Sequence, residues 1–117
     1  MPDVVVAGAG PAGCAAAIFL RQRGHEVLLL DEATFPRDKV CGEGVSPEAW
    51  RLLGRLGAAE GVRALRPRPL RGMRLVSPDG TTFTGDYAGD HTGFAIRRWC
   101  LDPVLVSAAR AAGVVVR

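Results

Sequence analysis

Residues 3–31 read DVVVAGAGPAGCAAAIFLRQRGHEVLLLD, and this stretch decides the fold. Residues 3–8 form a short β-branched apolar run that stops at glycine, the pattern of a buried parallel strand. Residues 12–23 predict a small-residue-rich helix, with Ala12, Ala15, Ala16, Phe19 and Leu20 at helical spacing. Arg21, Gln22 and Arg23 suit its C-terminal end, and Gly24 ends it. Residues 25–31 are a second apolar strand closed by an acid. Strand, glycine turn, helix and strand within about 30 residues make a βαβ unit with a right-handed crossover.

The turn itself carries chemistry. Gly8-x-Gly10-x-x-Gly13 joins the first strand to the first helix. Gly8 permits a tight turn, Gly10 lets backbone approach a pyrophosphate, and Gly13 lets helix and strand pack closely. Amide groups at the helix N-terminus then face the phosphate with the positive end of the helix dipole. Glycine-rich turns are common, so the flanking strand, helix and acid carry the weight. Asp31 lies 23 residues past Gly8, where a carboxylate can accept the hydroxyls of an adenosine ribose. These features do not choose between NAD and FAD.

Further along, Ser46-Pro47-Glu48 is a helix start: a hydroxyl N-cap, proline at the first position and an acid in the first turn. That helix is expected to run to Leu56 and stop at Gly57. Residues 70–76 and 81–86 flank the turn signal Ser77-Pro78-Asp79-Gly80 and predict a hairpin. A strand near 93–97 leads into a helix over about 99–112, with Leu101, Leu105, Ala108, Ala109 and Ala112 on its apolar face. Asp102-Pro103 equally suits the N-cap and first position of a shorter helix, which would leave Arg98 in a loop. Val114-Val115-Val116 begins another buried strand. With no chain left to complete a sheet around it, the sequence is expected to be the N-terminal portion of a larger protein, or a truncated product.

Composition bounds the function. The 117 residues are 48% hydrophobic and 23% charged, within the range of one modest globular domain. The net charge of +3 rests on fourteen arginines and the single Lys39. Five arginines cluster between Arg63 and Arg74, but no aromatic residue lies among them and Pro67, Pro69 and Gly72 break the run. A solvated connector is expected there rather than a nucleic-acid surface. Cys14, Cys41 and Cys100 are odd in number and lack C-x-x-C spacing, which argues against a disulfide framework or a metal site and suits the reducing cytoplasm. The first residues lack the positive segment of a signal peptide, and no apolar run approaches the roughly 18 residues that span a bilayer.

The stretch VVVAGAGPAGCAAAIFLRQRGHEVLLLDE resembles the opening of FAD-dependent oxidoreductases with a glutathione-reductase-like fold. Likeness continues through FPRDKVCGEGVSPEAWRLLGRLG and AIRRWCLDPVLVSAARAAGV. Nearly the whole chain resembles the first third of the geranylgeranyl reductase family and related flavin-dependent aromatic hydroxylases. This implies a Rossmann-like α/β FAD-binding domain over residues 1–117, incomplete and carrying an inserted β-hairpin. The substrate domain and the later FAD motifs would lie outside it. Thr84-Gly85-Asp86 and Asp79-Gly80 look like such motifs but fall in the hairpin, too early in the chain.

By resemblance, Gly8, Gly10, Pro11, Ala12 and Gly13 cradle the pyrophosphate. Asp31, where relatives often carry Glu, holds the adenosine ribose, with Glu32 beside it. Arg98 matches the arginine of an R-x-x-[FL]-D pattern, here Arg98-Trp99-Cys100-Leu101-Asp102, and offers paired N–H donors to the cofactor. The loop FPRDKVCGEG would cross toward the isoalloxazine ring. There Lys39 would supply positive charge, Cys41 would line the substrate side, and Gly42 and Gly44 would admit close backbone approach. No side chain is singled out for catalysis, because the flavin carries the hydride.

The implied parent is an FAD enzyme with NAD(P)H as electron donor. It would reduce isoprenoid double bonds or hydroxylate an apolar or aromatic small molecule, with peripheral membrane contact compatible with either. A truncated, non-catalytic dinucleotide-binding module is the alternative. An NAD dehydrogenase domain is disfavoured, since the loop and the Arg98 pattern would be superfluous there.

Overall fold

A computed structural model describes residues 1–117. The βαβ unit opens the chain as β1 (Val4–Ala7), α1 (Pro11–Gln22) and β2 (Val27–Leu30). β1 and β2 are parallel, with Val4 opposite Val27 and Ala7 opposite Leu30. Helix α1 begins at Pro11, where a missing N–H costs nothing. It ends before Gly24, whose φ of 92° is one that glycine adopts readily. The buried residues of α1 are Cys14, Ala17 and Ile18; Ala12 and Ala16 face solvent instead. Ala15, Phe19 and Leu20 pack against the core from its edges; a helix built almost wholly of apolar residues carries no sharp periodicity to fix its buried face.

The middle of the chain makes β3 (Gly44–Val45), α2 (Pro47–Arg55), α3 (Ala59–Ala64), β4 (Arg68–Leu70), β5 (Gly72–Val76), β6 (Thr82–Asp86) and β7 (Gly93–Ala95). The N-cap of α2 is as the sequence predicts: Ser46 Oγ accepts from the Ala49 amide at 3.1 Å. β5 and β6 form the expected hairpin, antiparallel with Leu75 opposite Phe83, and stand as a separate two-stranded sheet. Met73, Leu75 and Phe83 share one exposed face of it.

The stretch expected to be a connector is ordered. It holds the end of α3, all of β4 and the start of β5, and β4 pairs antiparallel with β7 in a sheet of order β3-β7-β4. Pro69 is tolerated because β4 lies at the edge, where a missing N–H breaks no interior ladder. Its arginines remain exposed, so their solvation was read correctly while their backbone was not.

Helix α4 (Arg98–Ala111) and strand β8 (Val115–Val116) close the chain. Helix α4 starts at Arg98 with Pro103 inside it, so the shorter helix capped by Asp102 does not form. Proline at 103 forfeits only the bond to the carbonyl of Trp99, a residue on the exposed side. β8 pairs parallel with β2, giving the order β1-β2-β8 with β2 central.

The result is an α/β fold whose parallel sheet is covered by α1 and α4, with antiparallel elements between them in sequence. One cluster of 17 buried apolar residues runs through both parts, from Ile18 and Leu29 through Leu105 and Val106 to Val62 and Leu53, so they share a core. No helix is long and apolar enough to cross a membrane.

Candidate functional site

The glycine turn is built as its spacing predicts. Gly8 has φ of 99°, and its amide donates to the Leu30 carbonyl at 2.7 Å, tying the turn to β2. A Cβ on Gly13 would stand 1.7 Å from the Gly8 carbonyl oxygen, so only glycine permits this helix–turn contact. Gly10 is the N-cap of α1 and has no side-chain cap partner. A Cβ there would lie 3.4 Å from Arg98 Nη2 and 3.8 Å from Arg37 Nη2. Two guanidinium groups therefore converge on the face of the turn that glycine leaves open. Pro11 and Ala12 begin α1 directly behind it.

Asp31 has a role beyond its place at the end of β2. Its Oδ2 accepts from the Ala9 amide at 2.7 Å and its Oδ1 from the Ala33 amide at 2.8 Å. The carboxylate thus pins the glycine turn and still keeps lone pairs for further donors. These amides, Ala33 first and Ala9 second, hold its pKa below the ordinary value. A cleft of about 590 Å³ opens beside it, lined by Gly8, Asp31, Glu32, Arg37 and Lys39 among others. Lys39 therefore stands on the Asp31 side of the turn, and Glu32 and Asp38 present exposed acids there.

Arg98 and Arg37 are fixed by one acid, which the sequence offered only as a helix cap or as the end of the R-x-x-[FL]-D pattern. Asp102, fully buried, accepts from Arg98 Nε at 2.7 Å and Nη2 at 2.9 Å, and from Arg37 Nη1 at 2.6 Å. This pairing with Asp102 is also the main cause raising the pKa of Arg98 above its already high value. The available signal was the four-residue spacing of Arg98 and Asp102, which puts both on one helix face. Arg37 had no local signal, since its partner is 65 positions away.

The loop continues to the other side of Arg98. Cys41 is exposed, and its Sγ accepts from the Glu43 amide at 3.3 Å. That bond, followed by a bond from Arg98, lowers the thiol pKa. Glu43, not a glycine, takes the left-handed conformation here, with φ of 61°. A Cβ on Gly42 or Gly44 would meet no protein atom within 4 Å, so nothing inside the chain demands glycine at either.

Below the loop lies an apolar cavity of about 250 Å³, with Pro11, Cys41 and Arg98 at one side and Val45, Leu52, Ile96 and Leu105 further in. A larger hollow of about 660 Å³, lined by Trp50, Arg63, Tyr87 and His91, contains none of the predicted site residues. Its size does not make it the site; the convergent polar groups lie at the glycine turn.

A parallel βαβ unit with a glycine cradle, an acid after the second strand and paired guanidiniums at the turn defines a dinucleotide-binding domain. The FAD binding domain family matches residues 1–117, and the chain belongs to it. It is 51% identical over 70 residues to menaquinone reductase of Mycobacterium tuberculosis, covering 59% of this chain and 17% of that protein. Over 118 residues it is 34% identical to digeranylgeranylglycerophospholipid reductase of Methanosarcina mazei, covering 98% of this chain and 28% of the relative.

Among solved structures, the flavin-dependent brominase Bmp2 superposes with a TM-score of 0.87 at 28% identity, over 99% of this chain and 29% of that one. OxyS anhydrotetracycline hydroxylase from Streptomyces rimosus gives 0.79 at 30% identity, over 99% and 24%. The chain thus spans under a third of the length of these relatives. It is homologous to FAD-dependent oxidoreductases that include reductases, halogenases and hydroxylases, and corresponds to part of them.

Proposed function

We propose that this chain is the FAD-holding portion of a flavin-dependent reductase acting on an isoprenoid lipid or quinone. The observation that carries FAD binding is the convergence of Arg37 and Arg98 on the open face of Gly10, at the N-terminus of α1. A pyrophosphate there would meet backbone amides, the helix dipole and two guanidinium forks together. Asp31 would accept ribose hydroxyls in the adjacent cleft, with Glu32 and Lys39 at its rim. Gly8 and Gly13 fix the turn that makes this approach short.

When bound, FAD supplies the hydride chemistry. The chain's own residues bind it, orient it and keep an exposed loop, Cys41 to Gly44, beside its path. Cys41 and Gly42 would edge the ring end of the cofactor, and NAD(P)H is the proposed electron donor. The reductase reading is favoured over hydroxylation by the likeness to menaquinone reductase and to digeranylgeranylglycerophospholipid reductase, the latter running over 98% of this chain. A cytoplasmic enzyme touching the membrane only peripherally suits such substrates.

The direct test is titration with FAD and with NAD, followed by flavin absorbance near 450 nm and by calorimetry. FAD uptake in preference to NAD is expected. Uptake of NAD but not FAD would refute the cofactor assignment. A chimaera carrying the remaining residues of the mycobacterial menaquinone reductase then tests the reaction. Reduction of menaquinone is expected, and oxygen insertion without reduction would refute the reductase reading.

A further inference from the structure

Asp102 touches neither the open face of the turn nor any cleft, yet it is the sole acidic partner of both arginines there. It is completely buried, while the side chains of Arg37 and Arg98 retain 17% and 15% of their exposure. Its two oxygens take the Nε–Nη2 edge of Arg98 and the Nη1 tip of Arg37, which leaves donors on both guanidiniums uncommitted. Both Nη2 atoms then stand within 4 Å of the position a Gly10 Cβ would take. Two flexible cations from elements 61 positions apart in sequence are thereby held in one geometry despite their mutual repulsion.

We propose that Asp102 is a positioning residue for the cofactor pyrophosphate. It acts through Arg37 and Arg98 to present a preformed double fork at the N-terminus of α1. This rests on the FAD reading above and extends it to a residue that would not touch the cofactor. Preorganisation is the physical gain: the entropy of ordering two long side chains is lost on folding rather than on binding.

The effect of removing the Asp102 charge is opposite in sign to that of simple charge. Replacing Asp102 by Asn raises the net charge of the trio from +1 to +2, so Coulomb attraction alone would tighten binding of a pyrophosphate. Positioning requires the opposite. We therefore compare the unsubstituted chain with Asp102→Asn, titrating FAD by flavin fluorescence and adenosine by NMR shift, and recording the melting temperature of each without ligand.

FAD affinity is expected to fall by about tenfold or more, the effect of one lost charge-assisted hydrogen bond, while adenosine affinity stays within about twofold. Unchanged or tighter FAD binding by Asp102→Asn overturns the proposal. Parallel loss of FAD and adenosine overturns it too, since that is a general weakening of the fold. Failure of the unsubstituted chain to take up FAD would remove the FAD reading and this inference with it.

If the Asn variant does not fold, Arg98→Lys decides. It keeps the charge, but an ammonium cannot span both carboxylate oxygens as the guanidinium edge does. An FAD loss of about tenfold with an unchanged melting temperature supports positioning; full FAD affinity overturns it.

Discussion

Gly13→Ala isolates the contact on which the nucleotide turn depends. The added Cβ would sit 1.7 Å from the Gly8 carbonyl oxygen and 2.9 Å from its carbon. To reach even 3 Å from that oxygen, α1 must move against β1 by more than an ångström, because the obstructing atoms are backbone. Alanine is the better helix former by about 1 kcal/mol, so propensity alone would stabilise the variant. Overpacking of a rigid contact costs about 3 kcal/mol at the upper end of its usual range. The difference is a net loss of about 2 kcal/mol, or a fall in melting temperature of roughly 6–12 °C for a chain of this size.

Two controls bracket it. Gly54→Ala, in α2 with nothing within 4 Å of the new Cβ, should gain stability from propensity alone. At Gly10 a Cβ meets only the guanidinium groups of Arg98 and Arg37, at 3.4 and 3.8 Å, so Gly10→Ala should melt close to the unsubstituted chain while losing FAD affinity. Thermal melts by circular dichroism, with FAD titration beside them, separate the three. A Gly13→Ala chain melting at or above the unsubstituted temperature would refute the steric argument.

Asp31→Asn should weaken FAD binding, and its effect on stability should depend on pH in one direction. The folded pKa of Asp31 is lowered, so its contribution is present above the unfolded carboxylate value and lost as pH falls through the folded one. The difference in melting temperature between Asp31→Asn and the unsubstituted chain should shrink below about pH 4; a gap that persists there would count against it. Cys41 should be the first cysteine alkylated by iodoacetamide near neutral pH, slowed by FAD and by Arg98→Met. Cys14, buried and with its thiol pushed up to about 11 by that burial, should react only on unfolding. Peptide mass spectrometry reads both rates; Cys14 or Cys100 reacting ahead of Cys41 would contradict the assigned environments.

Local chemistry made much of this protein legible. Gly8, Gly10 and Gly13 announce their roles through spacing, since a tight turn and a close contact are demands on a few adjacent residues. Ser46 and Pro47 likewise announce α2, and Ser77 to Gly80 the hairpin. What stayed hidden depended on partners far along the chain. β4 has three residues and a proline, and becomes a strand only because β7 lies beside it. The helical spacing of α1 was legible, but nearly every residue on it is apolar, so the sheet chose which of them are buried.

The same division runs through the site. The glycine turn and the acid after β2 were legible in the residues alone, whereas the place of Arg98, in a helix or in a loop, was left open. Tertiary structure alone decided that Asp31 also pins the turn through Ala9, that Lys39 lines the Asp31 cleft, and that Arg37 joins Arg98 on a buried Asp102. The physical reason is that a hydrogen-bonded charge cluster needs complementary groups within about 3 Å. Chain separation carries no information about that distance once the fold has closed the loop.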